Sequence, residues 1–249
     1  MSPTRDRLVA RLVAGATMVV SAGAGWATYR LAVSNGPGQR LDHDAMDTVY
    51  AGPDARLAVL RVLSNVSIGA VVVVMLLCVG LALARGHSQW AIGAVVVIAG
   101  ANVTTQLLKR VVLDRPDFNL GILNSLPSGH TTVVASATAA MVLTAPPALR
   151  AVMILGGSAA TTLTAASAIV AGWHRPSRVV AALAVTLLWA AAASAMLSRR
   201  VVHTRGATSA AMIGAAGGVI VLVVLGVGPT TGGDGFGGAA LVLSGVAAL

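Results

Sequence analysis

Three short polar clusters, each placed between long apolar stretches, contain the side chains of this chain that could do chemistry. They occupy 109–116, 127–130 and 172–178. The first is basic, the second reads Pro-Ser-Gly-His, and the third contains a histidine followed by two arginines. Polar residues are unfavourable in apolar surroundings, so clusters of them indicate a functional site.

Residues of the first two clusters have direct uses in binding a phosphate. Ser128 and Gly129 lie where a helix would begin, and free backbone amides at a helix N-terminus bind anions with help from the helix dipole. The small Gly129 would let the backbone approach a phosphate oxygen. Lys109 and Arg115 would supply positive charge, and the planar arginine fork suits bidentate contact.

The two histidines give one nucleophile and one general acid, because imidazole can take either role near neutral pH. His130 and His174 are 44 positions apart, which leaves room for two membrane crossings of about 20 residues each. The chain therefore returns to the side it left, and the basic cluster lies on that side too. We expect these loops, distant in sequence, to form one pocket.

The composition requires membrane helices to position these clusters. Of the 249 residues, 56% are hydrophobic and 10% are charged, and the mean hydropathy is +0.84. Soluble domains carry about 25% charged residues. The apolar runs do not alternate as barrel strands would. We predict an all-α, polytopic membrane helical bundle of about seven spans, and we expect no nucleic-acid partner because the basic residues are spread between apolar blocks.

The predicted spans are 8–29, 60–84, 90–108, 130–147, 150–171, 179–197 and 209–228. A last segment, 237–249, reaches only about 20 Å and is a partial span or the start of a longer helix. Arg5 and Arg7 precede the first run, so a cleaved signal peptide is an alternative interpretation of it. Tryptophans near span ends, Trp26, Trp90 and Trp173, are typical of interface anchors.

Basic residues in short loops favour an N-terminus on the inside, once the cations of the candidate site are set aside. The site and the segment 30–59 then face the extracytoplasmic side. This segment carries Asp42, Asp44, Asp47 and Asp54 and is predicted to be a solvated acidic loop. A divalent-cation site is the alternative, but no second cluster completes a coordination shell.

The motifs resemble the type 2 phosphatidic acid phosphatase family, integral membrane enzymes that dephosphorylate lipid phosphates, polyprenyl pyrophosphates or sugar phosphates without a metal. The family pattern is Lys-x6-Arg-Pro, then Pro-Ser-Gly-His, then Ser-Arg-x5-His-x3-Asp. Residues 127–130 match the second motif in full, and Ser167 and His174 have the spacing of the third. The resemblance covers 100–185 by motif and 60–200 by the order of spans.

By this resemblance His174 would attack phosphorus and form a phosphohistidine, while His130 would protonate the leaving oxygen. The phosphate-binding residues would be Lys109, Arg115, Ser128, Gly129 and, as a replacement cation, Arg178. The resemblance implies a hydrolase of phosphoric monoesters or acid anhydrides that needs no metal or cofactor. Its partners would be a lipid-linked phosphate and membrane lipids, and the residue bias of the chain suggests a bacterial cytoplasmic membrane.

The organisation expected from this resemblance is a single membrane domain, 1–249, with a phosphatase-like core at 60–200. An extracytoplasmic loop at 30–59 and a C-terminal segment at 229–249 would flank the core.

The third motif departs from the family pattern at two positions. Ala168 replaces an arginine, and Arg178 replaces the aspartate that would accept the ring proton of His174. Arginine cannot accept a hydrogen bond, and removing the comparable acceptor in serine proteases lowers turnover about 10⁴-fold. Asp114, Asp117 or a backbone carbonyl are the substitute acceptors that the sequence offers.

Two functions therefore stay open. The chain is either a working phosphatase or a degenerate relative that binds an anionic lipid or a membrane partner without turnover. The first motif also departs, with five residues rather than six between Lys109 and Arg115. A transporter is a weaker alternative, because its polar residues would lie at the membrane midplane rather than at one end.

Overall fold

The computed structural model describes residues 3–64, 66–114, 116–119, 125–197 and 206–230. The helices are α1 (Pro3–Ala32), α2 (Gly36–Asp47), α3 (Pro53–Ser64), α4 (Ile68–Ala84), α5 (Ser88–Leu107), α6 (Gly129–Thr144), α7 (Pro147–Val170), α8 (Pro176–Leu197) and α9 (Ala207–Val224). A π-helical turn, Leu108–Val112, continues α5, and two short strands, β1 (Val49–Ala51) and β2 (Val227–Pro229), pair antiparallel. The prediction of an all-α helical bundle is confirmed.

The apolar helices indicate an integral membrane protein. Within the described ranges, α1, α5, α7, α8 and α9 are long and apolar enough to cross a membrane, and α3 with α4 makes a sixth span if this pair, bent by 49°, is counted as one. Helix α6 has 16 residues, a rise of about 24 Å that falls short of the roughly 30 Å hydrocarbon core. The predicted span 130–147 is therefore shorter than the sequence indicates.

The predicted span 60–84 consists of two helices. α3 ends at Ser64, and α4 begins after Ser67, whose side chain accepts a hydrogen bond from the Ala70 amide at 3.2 Å. A serine in extended conformation that caps an amide three residues ahead begins a new helix. The apolar pattern alone did not reveal this break.

The central helices of the bundle are α5, α6, α7 and α8. Helix α4 packs against α5 and α6, α1 packs against α8, and α9 packs against α7. The contact between α5 and α8 is close at Gly100, where a Cβ atom would come within 2.4 Å of the Trp189 indole. The indole Nε1 of Trp189 donates to Thr104 Oγ1 at 3.0 Å, which satisfies a polar group between the helices.

The segment 30–59 differs from the predicted acidic loop. It contains α2, β1 and the first half of α3. Asp44, Asp47 and Asp54 are exposed, but Asp42 is buried, so the expectation of a solvated loop is wrong for that residue. The sequence missed this because a carboxylate is buried only when distant partners satisfy it, and those partners lie on α8.

Several predictions lie outside the described residues. Arg115 is one of them, as is the C-terminal segment beyond residue 230, which includes 237–249 and most of 229–249. Residues 227–229, near the end of the described chain, form strand β2, with Val49 of β1 opposite Pro229.

Candidate active site

The three polar clusters meet at one end of the bundle. The end of α5 with its π-helical turn, the start of α6 and the connection between α7 and α8 surround a cavity of about 750 Å³. Its polar lining includes Lys109, Arg110, Gly129, His130 and His174. Apolar residues of α4 and α5 form the rest of the wall, so the cavity has a cationic end and a hydrocarbon-like end.

The two imidazoles lie close together in the wall of this cavity. The ring centroids of His130 and His174 are 5.9 Å apart, and the rings are inclined by 52°. On its other side His130 contacts the indole of Trp173, with the centroids 5.6 Å apart. This separation leaves both rings within reach of one phosphate group.

The start of α6 is fixed by Ser128. Its Oγ accepts hydrogen bonds from the amide and the hydroxyl of Thr131, at 3.3 and 3.0 Å, which makes Ser128 the N-cap. The Ser128 amide donates to the carbonyl of Arg178 at 2.8 Å. Ser128 is fully buried and is absent from the cavity lining. In this conformation its side chain caps the helix, whereas the sequence predicted that Ser128 would bind phosphate.

Gly129 occupies the position next to the cavity. A Cβ atom built on it would meet nothing within 4 Å, so the space above this glycine is open to a ligand. The amides of the first helical turn have no carbonyl one turn back to accept their hydrogen bonds. Gly129 and His130 lie in this first turn and line the cavity, so their amides are candidate donors to a bound anion.

Lys109 and Arg110, two cations of the first cluster, lie on the π-helical turn. Lys109 is partly buried and Arg110 is exposed, and both line the cavity. Single π-turns within helices are frequent at functional sites. Arg110 was not among the predicted phosphate-binding residues, because a straight α-helix gives no reason to turn two successive side chains toward one cavity.

The replacement at position 178 changes the hydrogen bonding of His174. An Arg178 Nη1 atom lies 3.3 Å from Nδ1 of His174 and also donates to the Trp173 carbonyl at 2.8 Å. Arginine has no acceptor atom, so Nδ1 must be the acceptor in this contact. A neutral ring that accepts at Nδ1 carries its proton on Nε2. This is the reverse of the tautomer that an aspartate at position 178 would favour.

His174 is held in its neutral form. Burial lowers its pKa to about 3, and the positive charges of Arg178 and Lys109 contribute to the fall. A hydrogen bond to the Trp173 backbone opposes this fall in the pKa. Nε2 of His174 is buried and has no hydrogen-bond partner among the described residues. A buried polar atom without a partner in a cavity wall is suited to a ligand.

Asp42 of α2 is a site residue that the sequence missed. Its carboxylate accepts from the amide and the hydroxyl of Ser177, at 2.9 and 2.5 Å. Burial raises the pKa of Asp42, while the Ser177 bonds and the charges of Arg175 and Arg178 oppose the rise. Asp42 thus brings negative charge to the buried arginines and ties α2 to the start of α8, directly after His174.

Neither of the two carboxylates that the sequence offers as substitute acceptors contacts His174 among the described residues. Asp114 and Asp117 are exposed, and Asp117 accepts a hydrogen bond from the Asn119 amide at 2.8 Å. Ala168, the other altered position, is fully buried, and its carbonyl accepts from the amides of Trp173 and His174. The backbone at Ala168 thus positions the His174 loop, although its side chain brings no charge.

Fold and site together define a class of protein: an integral membrane helical bundle with paired histidines and cations around a cavity at one end. Residues 90–202 match the sequence model of the PAP2 superfamily. The match confirms the resemblance seen in the motifs and suggests phosphatase activity on phosphate esters. No curated protein and no solved structure gave a match.

Proposed function

We propose that this chain is a metal-independent membrane phosphatase that removes phosphate from a lipid-linked phosphate or pyrophosphate. The observation that carries the proposal is the cavity, in which His130, His174 and Lys109 adjoin an apolar wall. A soluble phosphate ester has no hydrocarbon tail to pack against that wall. A lipid would place its head group at the histidines and its hydrocarbon against residues such as Val71, Met75 and Ile98.

In the proposed reaction Nε2 of His174 attacks phosphorus, and the bond between phosphorus and the leaving oxygen breaks. His130 gives a proton to that oxygen, Lys109 and the Gly129 amide hold the remaining phosphate oxygens, and water then hydrolyses the phosphohistidine with His130 as base. Attack requires a lone pair on Nε2, so the ring proton must first move to Nδ1. The Trp173 carbonyl is then the acceptor for Nδ1–H.

The contact with Arg178 makes this reaction slow. A hydrogen bond to a charged group contributes about 1.5–3 kcal/mol, which must be given up to reach the productive tautomer. That free energy corresponds to about a 10- to 150-fold lower rate. The lost aspartate would also have stabilised the imidazolium, so the total deficit approaches the roughly 10⁴-fold loss known for a missing acceptor in a triad.

The same contact favours a second function, in which the chain binds the lipid phosphate without turnover. With its proton on Nε2, His174 is a hydrogen-bond donor to a phosphate oxygen rather than a nucleophile. The cations and the Gly129 amide would complete such a binding site.

The test is phosphate release by the purified full chain from polyprenyl phosphate, polyprenyl pyrophosphate and phosphatidate, with a soluble aryl phosphate as the tail-free control. We expect slow release from the lipids, little release from the aryl phosphate, no inhibition by a chelator, and loss of release in His174→Ala. His130→Asn is expected to lower the rate about 10²-fold or more. Equal rates for wild type and His174→Ala would overturn the nucleophile, and retained lipid-phosphate binding without release would support the second function.

We place the site on the extracytoplasmic side, because the opposite end of the bundle carries the loop arginines Arg85 and Arg150. Cys78 is buried, so a cysteine introduced at exposed Asp44 would be the reactive thiol. Labelling of Asp44→Cys by a membrane-impermeant maleimide in intact cells supports this orientation. Labelling only after lysis would reverse it.

A further inference from the structure

A second basic site lies at the end of the bundle opposite the histidines. Arg85 follows α4, Trp90 is in the first turn of α5, and Arg150 is in the first turn of α7. Both guanidinium groups lie over the same indole: the Cζ atoms of Arg85 and Arg150 are 5.5 and 5.8 Å from the Trp90 ring centroid. Two like charges are therefore gathered on one aromatic ring.

The two arginines have no carboxylate partner in the part of the chain that the structure describes. Within the described residues no salt bridge joins Arg85 or Arg150 to an acidic side chain. The sequence has no Asp or Glu between Asp54 and Asp114, nor between Asp117 and Asp234. Cation–π contact lowers the energy of each guanidinium but leaves its charge uncompensated. An anion from outside the chain would supply the missing charge.

Arg85 is held in place by the end of α6, and the indole between the arginines borders a cleft. The Nη1 atom of Arg85 donates to the Thr144 carbonyl at 2.8 Å, and the His87 ring contacts Trp90 in a tilted arrangement with a centroid distance of 4.9 Å. Trp90 lines a cleft of about 250 Å³ together with the four residues from Gly86 to Gln89. Arginine pairs of this kind bind phosphate through charge-assisted hydrogen bonds.

We propose that Arg85, Trp90 and Arg150 form a binding site for the phosphate of an anionic phospholipid head group. A lipid, rather than a soluble anion, is favoured by position, because the site lies where apolar helices end and a tryptophan marks the membrane interface. This site lies in the membrane leaflet opposite to the one that contains the His130–His174 cavity. The intervening helix α5 has 20 residues, a rise of about 30 Å, so the two sites cannot share one lipid.

The experiment is native mass spectrometry of the full chain released from nanodiscs of phosphatidylcholine doped with phosphatidylglycerol. We expect wild type to retain phosphatidylglycerol in preference to phosphatidylcholine, and the Arg85→Gln/Arg150→Gln variant to lose most of that preference. Arg56→Gln, a change at an exposed arginine of α3, is the matched control and keeps it. If loss of the Arg85–Thr144 hydrogen bond prevents the double variant from folding, Arg150→Gln alone replaces it in the experiment.

The outcomes separate this proposal from the proposed function. Equal retention of phosphatidylglycerol by wild type and by the arginine variants would overturn the site. A second outcome is that millimolar inorganic phosphate displaces the lipid and, alone, raises the thermal stability of wild type as much as the lipid does. That outcome would assign the site to a soluble anion and overturn the lipid assignment. Loss of phosphate release in His174→Ala with unchanged phosphatidylglycerol retention would show that the two sites are independent.

Discussion

The second and third motifs meet at the same cavity, but they are built in different ways. Pro127–His130 forms its structure locally: Ser128 caps α6, and Gly129 and His130 follow in the first turn. The third motif depends on distant partners, because Arg178 bonds to Ser125 and Asp42 holds Ser177. The comparison teaches that local capping fixes the geometry of the second motif, whereas the chemistry of the third motif depends on tertiary partners and can change through one side chain.

The two motifs are also joined through the backbone. The Ser128 amide donates to the Arg178 carbonyl, a bond that does not depend on the side chain at position 178. The altered third motif can therefore keep its position relative to the intact second motif. Position 178 sets the tautomer of His174, and the backbone sets where the ring lies.

The largest effect expected is a gain of activity in Arg178→Asp. Aspartate would accept Nδ1–H of His174 and expose the Nε2 lone pair, so we expect lipid-phosphate release to rise by about 10- to 10⁴-fold. Steady-state phosphate release is the measurement. Because a second carboxylate near Asp42 is unfavourable, Arg178→Asn, a neutral acceptor, provides a check with a smaller gain. No gain in either folded variant would show that Arg178 does not limit the reaction.

A smaller effect is expected in the dependence of stability on pH. The unfolded chain protonates His174 near its ordinary value of about 6.5, whereas the folded chain does so only near a pKa of about 3. The stabilisation is therefore present above about pH 6.5 and is lost as the pH falls towards 3, at up to about 1.4 kcal/mol per pH unit. His174→Asn should flatten thermal stability between these limits, while His87→Asn, at the other end of the bundle, serves as the control.

The smallest effect is expected from the cap of the second motif. Ser128→Ala removes the acceptor for the Thr131 amide and should lower stability by about 1 kcal/mol. Thermal unfolding in detergent measures it, with Ser194→Ala, an exposed serine within α8, as the matched control. If Ser128 contacts phosphate directly, Ser128→Ala would instead raise the KM for lipid phosphate without a loss of stability. That result would show that Ser128 is a phosphate-binding residue.

Much of the fold could be predicted because it depends on hydrophobicity alone. The apolar runs place α1, α5, α7, α8 and α9 close to their predicted spans, since a membrane helix satisfies its own backbone. The break before α4 could not be predicted from hydrophobicity, because apolar residues continue on both sides of it. The burial of Asp42 and the pairing of β1 with β2 could not be predicted either, since each depends on a partner distant in sequence, and periodicity carries no information about such partners.

The amino-acid sequence was enough to predict helices long and apolar enough to cross a membrane, a helix that begins at 127–130 and the return of the polar clusters to one end. These follow from local hydrophobicity, capping and the parity of crossings. Only the tertiary structure decided that Arg178 rather than a carboxylate faces Nδ1 of His174, and that Asp42 lies beside the buried arginines. The physical reason is that a side chain's charge is readable from its type, whereas its hydrogen-bond partner is fixed by packing between helices.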